Sequence, residues 1–335
     1  MKKTFFFSLM VMCLMGMALF AAEKTSQEKE NEKKNLIKEI KYQSSADKTM
    51  QPAMFYKPDV KEPRPLLVAL HTWSHTYQDD WSEHGGTWCV EQGWGFIFPN
   101  FRGANNRPEA TGSDLVIQDI LDAVEYAKKN GIVDERRIYL MGHSGGGYVA
   151  LLMAGRAPDV WAGVSAWVPI SDLKAWHIES KSPPTWLRGT HYWQAIETSC
   201  GGDPAKDIKA AEEAKKRSPI TYLKNAKNLR LDINAGIHDG HDGSVPISHT
   251  LNAFNILAEE KDRLTTEEIE YFVKKAQVPP KIKAGIEEDD CWGKKLLFRR
   301  QSGLTRVTIF DGGHEINNKA ALTWLAAQQK NIKKK

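Results

Sequence analysis

The sequence predicts an α/β fold, a doubly wound and mostly parallel sheet flanked by helices. Three observations carry that expectation. Largely apolar stretches recur along the chain, unbroken at residues 66–70, 96–98 and 138–141 and interrupted by polar residues at 161–168, 229–233 and 304–310. Such runs suit strands covered on both faces, unlike the alternating pattern of a half-exposed sheet. Segments with helical spacing lie between several of them, and alternation of strand and helix is the mark of a parallel sheet. Finally, the run at 138–141 leads directly into Gly142-His143-Ser144-Gly145-Gly146-Gly147, followed by the apolar stretch 148–153, which suits a buried helix.

Taken in order, residues 1–22 read as an export signal. Lys2 and Lys3 supply the charged start, residues 5–20 are apolar and uncharged, and Ala18, Ala21 and Ala22 offer small residues for cleavage. The run is somewhat short for a membrane anchor. Cys13 lies inside the run, which argues against a lipid-modified cysteine. The expectation is therefore a secreted or periplasmic protein with no stable membrane anchor. Residues 23–50 form a charged leader, and residues 51–335 form the folded unit.

Residues 36–42, at the end of the leader, and 53–56 predict edge strands that could pair as a hairpin. Pro63 and Pro65 punctuate the chain before the first buried strand. Residues 114–129 predict an amphipathic helix, with Leu115, Ile117, Ile120, Leu121 and Val124 set against Asp119, Asp122 and Glu125. Further helices are expected at 246–259, with Leu251, Phe254 and Leu257 inward, and at 319–329, with Leu322, Trp324 and Leu325 inward. Two stretches depart from the alternation and are expected as insertions. The first, about 170–228, is rich in aromatics. The second, about 264–300, carries a helix at 266–275 and a strand near 296–299.

The 335 residues carry a formal net charge of +4, concentrated in lysine-rich ends that read as solvated tails. No arginine-rich pattern with interleaved aromatics points to nucleic acid. Cys89, Cys200 and Cys291 lie beyond the signal; export permits one disulfide among them, and the pairing is open. No spaced Cys/His set suggests a metal, and no cofactor is expected. His71 and His75 are four apart, but that spacing brings ligands together only on a helix, and a loop is expected there.

Strand, G-x-S-x-G and helix together make a nucleophile turn. The serine must stand on a sharp turn with its hydroxyl clear of the sheet. Gly142 and Gly146 leave room where a side chain would strike a neighbouring element. The helix behind Ser144 favours developing negative charge, and the N–H of Gly145 is one oxyanion donor. An activated serine needs a base and a group to orient that base. His314, in Asp311-Gly312-Gly313-His314 after the last strand, stands where this arrangement puts its base. Asp239 and Asp242, both in His238-Asp239-Gly240-His241-Asp242-Gly243-Ser244-Val245-Pro246, are the candidate acids. The second oxyanion donor is expected from Thr72 or Trp73, after the 66–70 strand, with His71 at the same loop as a site residue.

These motifs resemble the α/β-hydrolase family, and within it the catalytic domain of the prolyl-oligopeptidase group of serine hydrolases. The resemblance spans residues 65–327 and rests on Leu70-His71, Phe101-Arg102-Gly103, the 119–126 helix, Gly142 to Gly146, Asp242-x-x-Val245-Pro246 and Gly313-His314. The family pattern His-Gly-x-x-Asp-x-x-Val-Pro, counted back from Pro246, implies Asp242 as the acid. Asp239 replaces the family glycine and stands as the alternative. The family's oxyanion His-Gly is His71-Thr72 here. Peptidases of this group carry a large β-propeller, and this chain has no room for one; stand-alone domains of the family are often esterases. Together with Trp176, Trp186 and Trp193 as rings suited to stacking on sugars, this favours an esterase acting on a small-molecule ester or an acylated carbohydrate. Cleavage of short peptides is the second reading. A non-catalytic binding protein on the same fold is the third. Arg102 and Asn105 are further candidates to line the site.

Overall fold

The computed structural model describes residues 28–80, 84–181, 191–286 and 289–330. The export signal, Trp81 and Trp186 lie outside the described residues. The strands are β1 (Lys38–Gln43), β2 (Met50–Tyr56), β3 (Arg64–Leu70), β4 (Gly95–Pro99), β5 (Val133–His143), β6 (Gly163–Trp167), β7 (Leu231–Gly236), β8 (Leu296–Ser302) and β9 (Thr305–Phe310). They form one sheet in the order β1-β2-β4-β3-β5-β6-β7-β9-β8. The six central strands, β4 to β9 along that order, are parallel. β1, β2 and β8 are antiparallel additions at the two edges.

The apolar runs are the centre of the sheet because they have no wet face. Residues 65–70 of β3 are buried without exception, as are all of β4, β6 and β7. β1 alternates with exposed positions instead, as an edge strand does. The predicted hairpin is β1 paired with β2, with Lys38 opposite Phe55 and Gln43 opposite Met50. The strand expected near 296–299 runs to Ser302 and pairs antiparallel with β9. The 264–300 excursion therefore ends as an edge of the sheet and is not wholly an inserted loop.

The helices are α1 (Gly86–Gln92), α2 (Asp114–Asn130), α3 (Gly145–Arg156), α4 (Leu173–Ser180), α5 (Tyr192–Cys200), α6 (Ile208–Arg217), α7 (Ser248–Leu257), α8 (Thr266–Lys275) and α9 (Asn318–Ala326). α2 starts where Ser113 accepts from the N–H of Val116 and ends with Lys128 and Lys129 near its carboxyl terminus, both favourable placements. α3 is buried along almost its whole length and packs on β5 and β6. α1 was not expected. It spans seven residues between Gly85 and Gly93, both at positive φ, and is too short for periodicity to show. The 170–228 excursion supplies α4, α5 and α6, which pack on one another. Among the described residues, no helix is long and apolar enough to cross a membrane. Cys89, Cys200 and Cys291 are free thiols, the first two buried.

β3 lies inside the sheet with β4 on one side and β5 on the other, so successive connections leave it in opposite directions. That reversal opens a crevice beyond the carboxyl ends of the central strands. The loops after β3, β5, β7 and β9 all reach it.

Candidate active site

β5 ends at His143, and α3 begins at Gly145. Ser144 between them has φ 55° and ψ −123°, a conformation that non-glycine residues rarely adopt. Strain of that kind costs about 1–3 kcal/mol and persists only where the surroundings enforce it. Here they do. The N–H of Ser144 donates to the Trp167 carbonyl at 2.9 Å, and its carbonyl accepts from Tyr148 at 2.9 Å. A Cβ on Gly142 would stand 2.4 Å from the Gly146 backbone, and one on Gly146 would stand 2.4 Å from the Leu70 carbonyl. The turn is thus sharp because strand, turn and helix touch backbone to backbone.

His314 follows β9 through Gly312-Gly313, and its Nε2 lies 2.8 Å from Ser144 Oγ. Its Nδ1 lies 2.9 and 3.0 Å from the two carboxylate oxygens of Asp239. A carboxylate only accepts, so Nδ1 carries the proton and Nε2 faces the serine as an acceptor. Asp239 is 2% exposed. Its Oδ1 also accepts from the N–H groups of Gly240 and Val245, at 3.0 and 3.2 Å.

Counting the family pattern back from Pro246 therefore selects the wrong aspartate. Asp242 is exposed on the outside of the turn, where its N–H donates to the His238 carbonyl at 2.9 Å. The chain from Asp239 to Val245 curls back on itself, so that the first aspartate of the turn points inward. Gly243 allows the curl, since a Cβ there would lie 2.0 Å from Asp239 Oδ1 and 2.6 Å from His314 Cβ.

The loop after β3 presses against the nucleophile turn. A Cβ on Gly145 would stand 2.3 Å from the Trp73 backbone nitrogen. The amides of Gly145 and Trp73 are therefore neighbours at the start of α3, as two oxyanion donors must be. Thr72 contributes its carbonyl inward instead, facing His71 Nδ1 at 2.9 Å. Asn105 steadies the loop: its N–H donates to the Trp73 carbonyl at 2.8 Å.

His71 does not line the site. It is fully buried, stacks on Phe101 with ring centroids 3.8 Å apart, and has Nε2 2.9 Å from the Asn100 carbonyl. Burial pushes its pKa down to about 4, against the pull of its two carbonyl partners. Trp176 is likewise no sugar platform. It is 1% exposed, packed between Trp73 and Tyr192, and its Nε1–H donates to the Ser244 carbonyl at 2.8 Å. Trp193 lies under the Lys181 ammonium, 5.2 Å from its ring centre. Arg102 is a structural cation, held by Asp119 and Asp47 at 2.6 Å each.

One residue escaped the sequence reading. Ser244 Oγ lies 3.3 Å from His314 Nε2, a second hydroxyl on the same nitrogen. It stands inside the Asp-x-x-Val-Pro motif, at a position read only as a spacer. Tyr192 lines a cavity of about 410 Å³ together with Trp73, Ser74, Asn106, His191 and Thr198. Among the described residues, no carboxylate lines that cavity. As for metals, His177, Glu197 and Asp203 offer ligand atoms within 4.8 Å of one another. The Lys181 ammonium already bonds both carboxylates, at 2.9 and 2.6 Å. His75, the other histidine weighed for a metal, pairs with Asp79 at 2.6 Å.

With this geometry in hand, comparison with known proteins is decisive on kinship. The model of the prolyl oligopeptidase family matches residues 81–272, more than half of the chain. The chain belongs to the prolyl oligopeptidase family. Membership of this family counts against the non-catalytic reading. Among curated relatives, dipeptidyl aminopeptidase BIII of Pseudoxanthomonas mexicana is 29% identical over 193 residues, covering 55% of this chain and 26% of the relative. Acylamino-acid-releasing enzyme 1 of Oryza sativa subsp. japonica is 23% identical over 190 residues, covering 52% and 24%. The matched part is thus about a quarter of each relative's length. Among solved structures, an acylaminoacyl peptidase in complex with Z-Gly-Gly-Phe-chloromethyl ketone aligns with a TM-score of 0.58 at 17% identity, covering 89% of this chain and 42% of that one. The acylaminoacyl peptidase of Pyrococcus horikoshii aligns with a TM-score of 0.52 at 22% identity, covering 66% and 34%. At these identities the structural likeness speaks for the fold, the α/β-hydrolase fold of peptidase catalytic domains.

Proposed function

We propose that this family member cleaves an amide bond in short peptides through a covalent acyl-enzyme, with Ser144, His314 and Asp239 as its relay. The observation that carries the chemistry is the 2.8 Å contact of Ser144 Oγ with His314 Nε2, backed by Asp239 on Nδ1. His314 takes the serine proton as Ser144 Oγ bonds to the carbonyl carbon. The N–H groups of Gly145 and Trp73 receive the oxyanion, each such donor being worth about 3–4 kcal/mol. Nε2–H then protonates the leaving amine, and water repeats the cycle on the acyl-serine. Asp239 holds the tautomer and balances the imidazolium throughout. No cofactor takes part in these steps.

The preference for peptide over ester reverses the expectation from sequence. It rests on the peptidases among the relatives and on the burial of Trp176, which removes one of the rings that favoured a carbohydrate ester. Among the described residues, those lining the cavity beside Trp73 are neutral side chains and His191, which suits a neutral or blocked peptide end. Side-by-side turnover of N-acyl and free-amine peptide p-nitroanilides, p-nitrophenyl acetate and acetylated xylan tests this. Amide turnover that Ser144→Ala abolishes supports the reading. Ester turnover without amide turnover overturns it in favour of an esterase.

We also propose that the chain is exported, on the strength of Lys2, Lys3 and the apolar 5–20 run. Amino-terminal sequencing of the mature protein tests it: a start near Glu23 is expected, and an intact Met1 refutes cleavage.

A further inference from the structure

We infer that Ser244 is a positioning residue that receives the Nε2–H of His314 while the base is charged. This inference rests on the relay proposed above.

The argument starts from counting hydrogen-bonding capacity. In the resting site Nε2 has one lone pair and two hydroxyls within reach, Ser144 at 2.8 Å and Ser244 at 3.3 Å. The shorter contact takes the lone pair, because Ser144 is the better placed donor. Ser244 is then redundant for starting the reaction. After proton transfer the balance changes. Ser144 Oγ has formed its bond to the carbonyl carbon, and its proton is on Nε2, which is now a donor. The serine oxygen has lost most of its capacity to accept. Until the leaving nitrogen takes the proton, Nε2–H needs another acceptor, and Ser244 Oγ is already within reach. No proton passes to Ser244; it only shares the one His314 holds.

Ser244 is itself held in place, because its carbonyl accepts from Trp176 Nε1, 2.8 Å away. Trp176 is in turn packed against Tyr192, with ring centroids 5.0 Å apart.

A hydrogen bond to a charged group is worth enough to change a rate on the order of tenfold to hundredfold when removed. Ser244→Ala is expected to lower kcat by that factor on an amide substrate, with KM within about twofold and thermal unfolding little changed. Ser244→Thr, which keeps the hydroxyl, restores kcat. A loss that Ser244→Thr does not restore, or a Ser244→Ala enzyme within twofold of wild type, overturns the inference. Turnover that survives Ser144→Ala instead overturns the relay itself, so the two failures are distinct.

Discussion

Replacing Asp239 and Asp242 separately by asparagine sets the structure against the family pattern. The two residues lie three apart in one turn, and both are aspartates. Only Asp239 touches the base. Its Oδ1 is committed to the N–H groups of Gly240 and Val245, so an asparagine there keeps its carbonyl oxygen on that side. The amide nitrogen then stands where Oδ2 was, 3.0 Å from Nδ1 and hydrogen to hydrogen, and the acceptor left to Nδ1–H is Oδ1 at 2.9 Å, already shared with two N–H groups. The imidazole escapes by moving its proton to Nε2, which turns the acceptor facing Ser144 into a donor. The lost charge adds to this: a carboxylate and an imidazolium 2.9 Å apart attract by about 6 kcal/mol at an effective dielectric of about 20. That corresponds to about four powers of ten in rate, in line with the loss seen when the orienting aspartate of such a relay becomes asparagine. Asp239→Asn should therefore lower kcat/KM by about three to four powers of ten. Asp242→Asn should leave it within about twofold. Peptide p-nitroanilide turnover and the rate of fluorophosphonate labelling of Ser144 both report it. A large loss in Asp242→Asn with little in Asp239→Asn would falsify the assignment.

Further outcomes follow from the same geometry. Gly145→Ala forces a Cβ to within 2.3 Å of the Trp73 nitrogen and must push the oxyanion loop away; labelling of Ser144 should slow by about a hundredfold or more, and an unchanged rate would show that the two amides do not act together. Arg102→Met leaves the fully buried Asp119 without its guanidinium partner. It should cost about 3–5 kcal/mol in denaturant unfolding, and a loss below about 1 kcal/mol would place the pair's contribution elsewhere. Stability should also fall in acid. His71 titrates near 6.5 when unfolded and about 4 when folded, so below about pH 6.5 the unfolded chain binds a proton that the folded chain refuses. The contribution is fully present above pH 6.5 and shrinks as pH falls towards 4, by roughly 2 kcal/mol at pH 5. His71→Asn, if it folds, should flatten that part of the profile; an unaltered slope would mean that another group sets it.

How much was legible before the fold was seen depends on the range of the interaction. The buried strands were legible because short apolar stretches, unbroken at 66–70, 96–98 and 138–141, have nowhere to be but inside a sheet. The nucleophile turn was legible because its parts are contiguous: strand, Gly142 to Gly147, helix. His314 was found by its place after the last strand. The seven-residue helix at Gly86–Gln92 was missed because so short a segment has no period to read. The edge strand inside the 264–300 excursion was seen, but its membership of the main sheet was not, because pairing with β9 is not written in either strand alone.

The residue types of the site, their order along the chain and the loops that bear them were thus set by the sequence itself. Which aspartate faces His314 was decided only by the tertiary fold. Asp239 and Asp242 have the same chemistry and the same glycine after them. They are separated by the direction of one tight curl, which buries the first against Val245 and leaves the second in water. The same holds for the aromatics. Trp176 and Trp193 look alike as letters, yet one is packed in the core between Trp73 and Tyr192 and the other lies under Lys181. Burial and facing are properties of what surrounds a side chain. In this protein the deciding surroundings include partners far along the chain, such as His314 for Asp239 and Trp73 for Trp176.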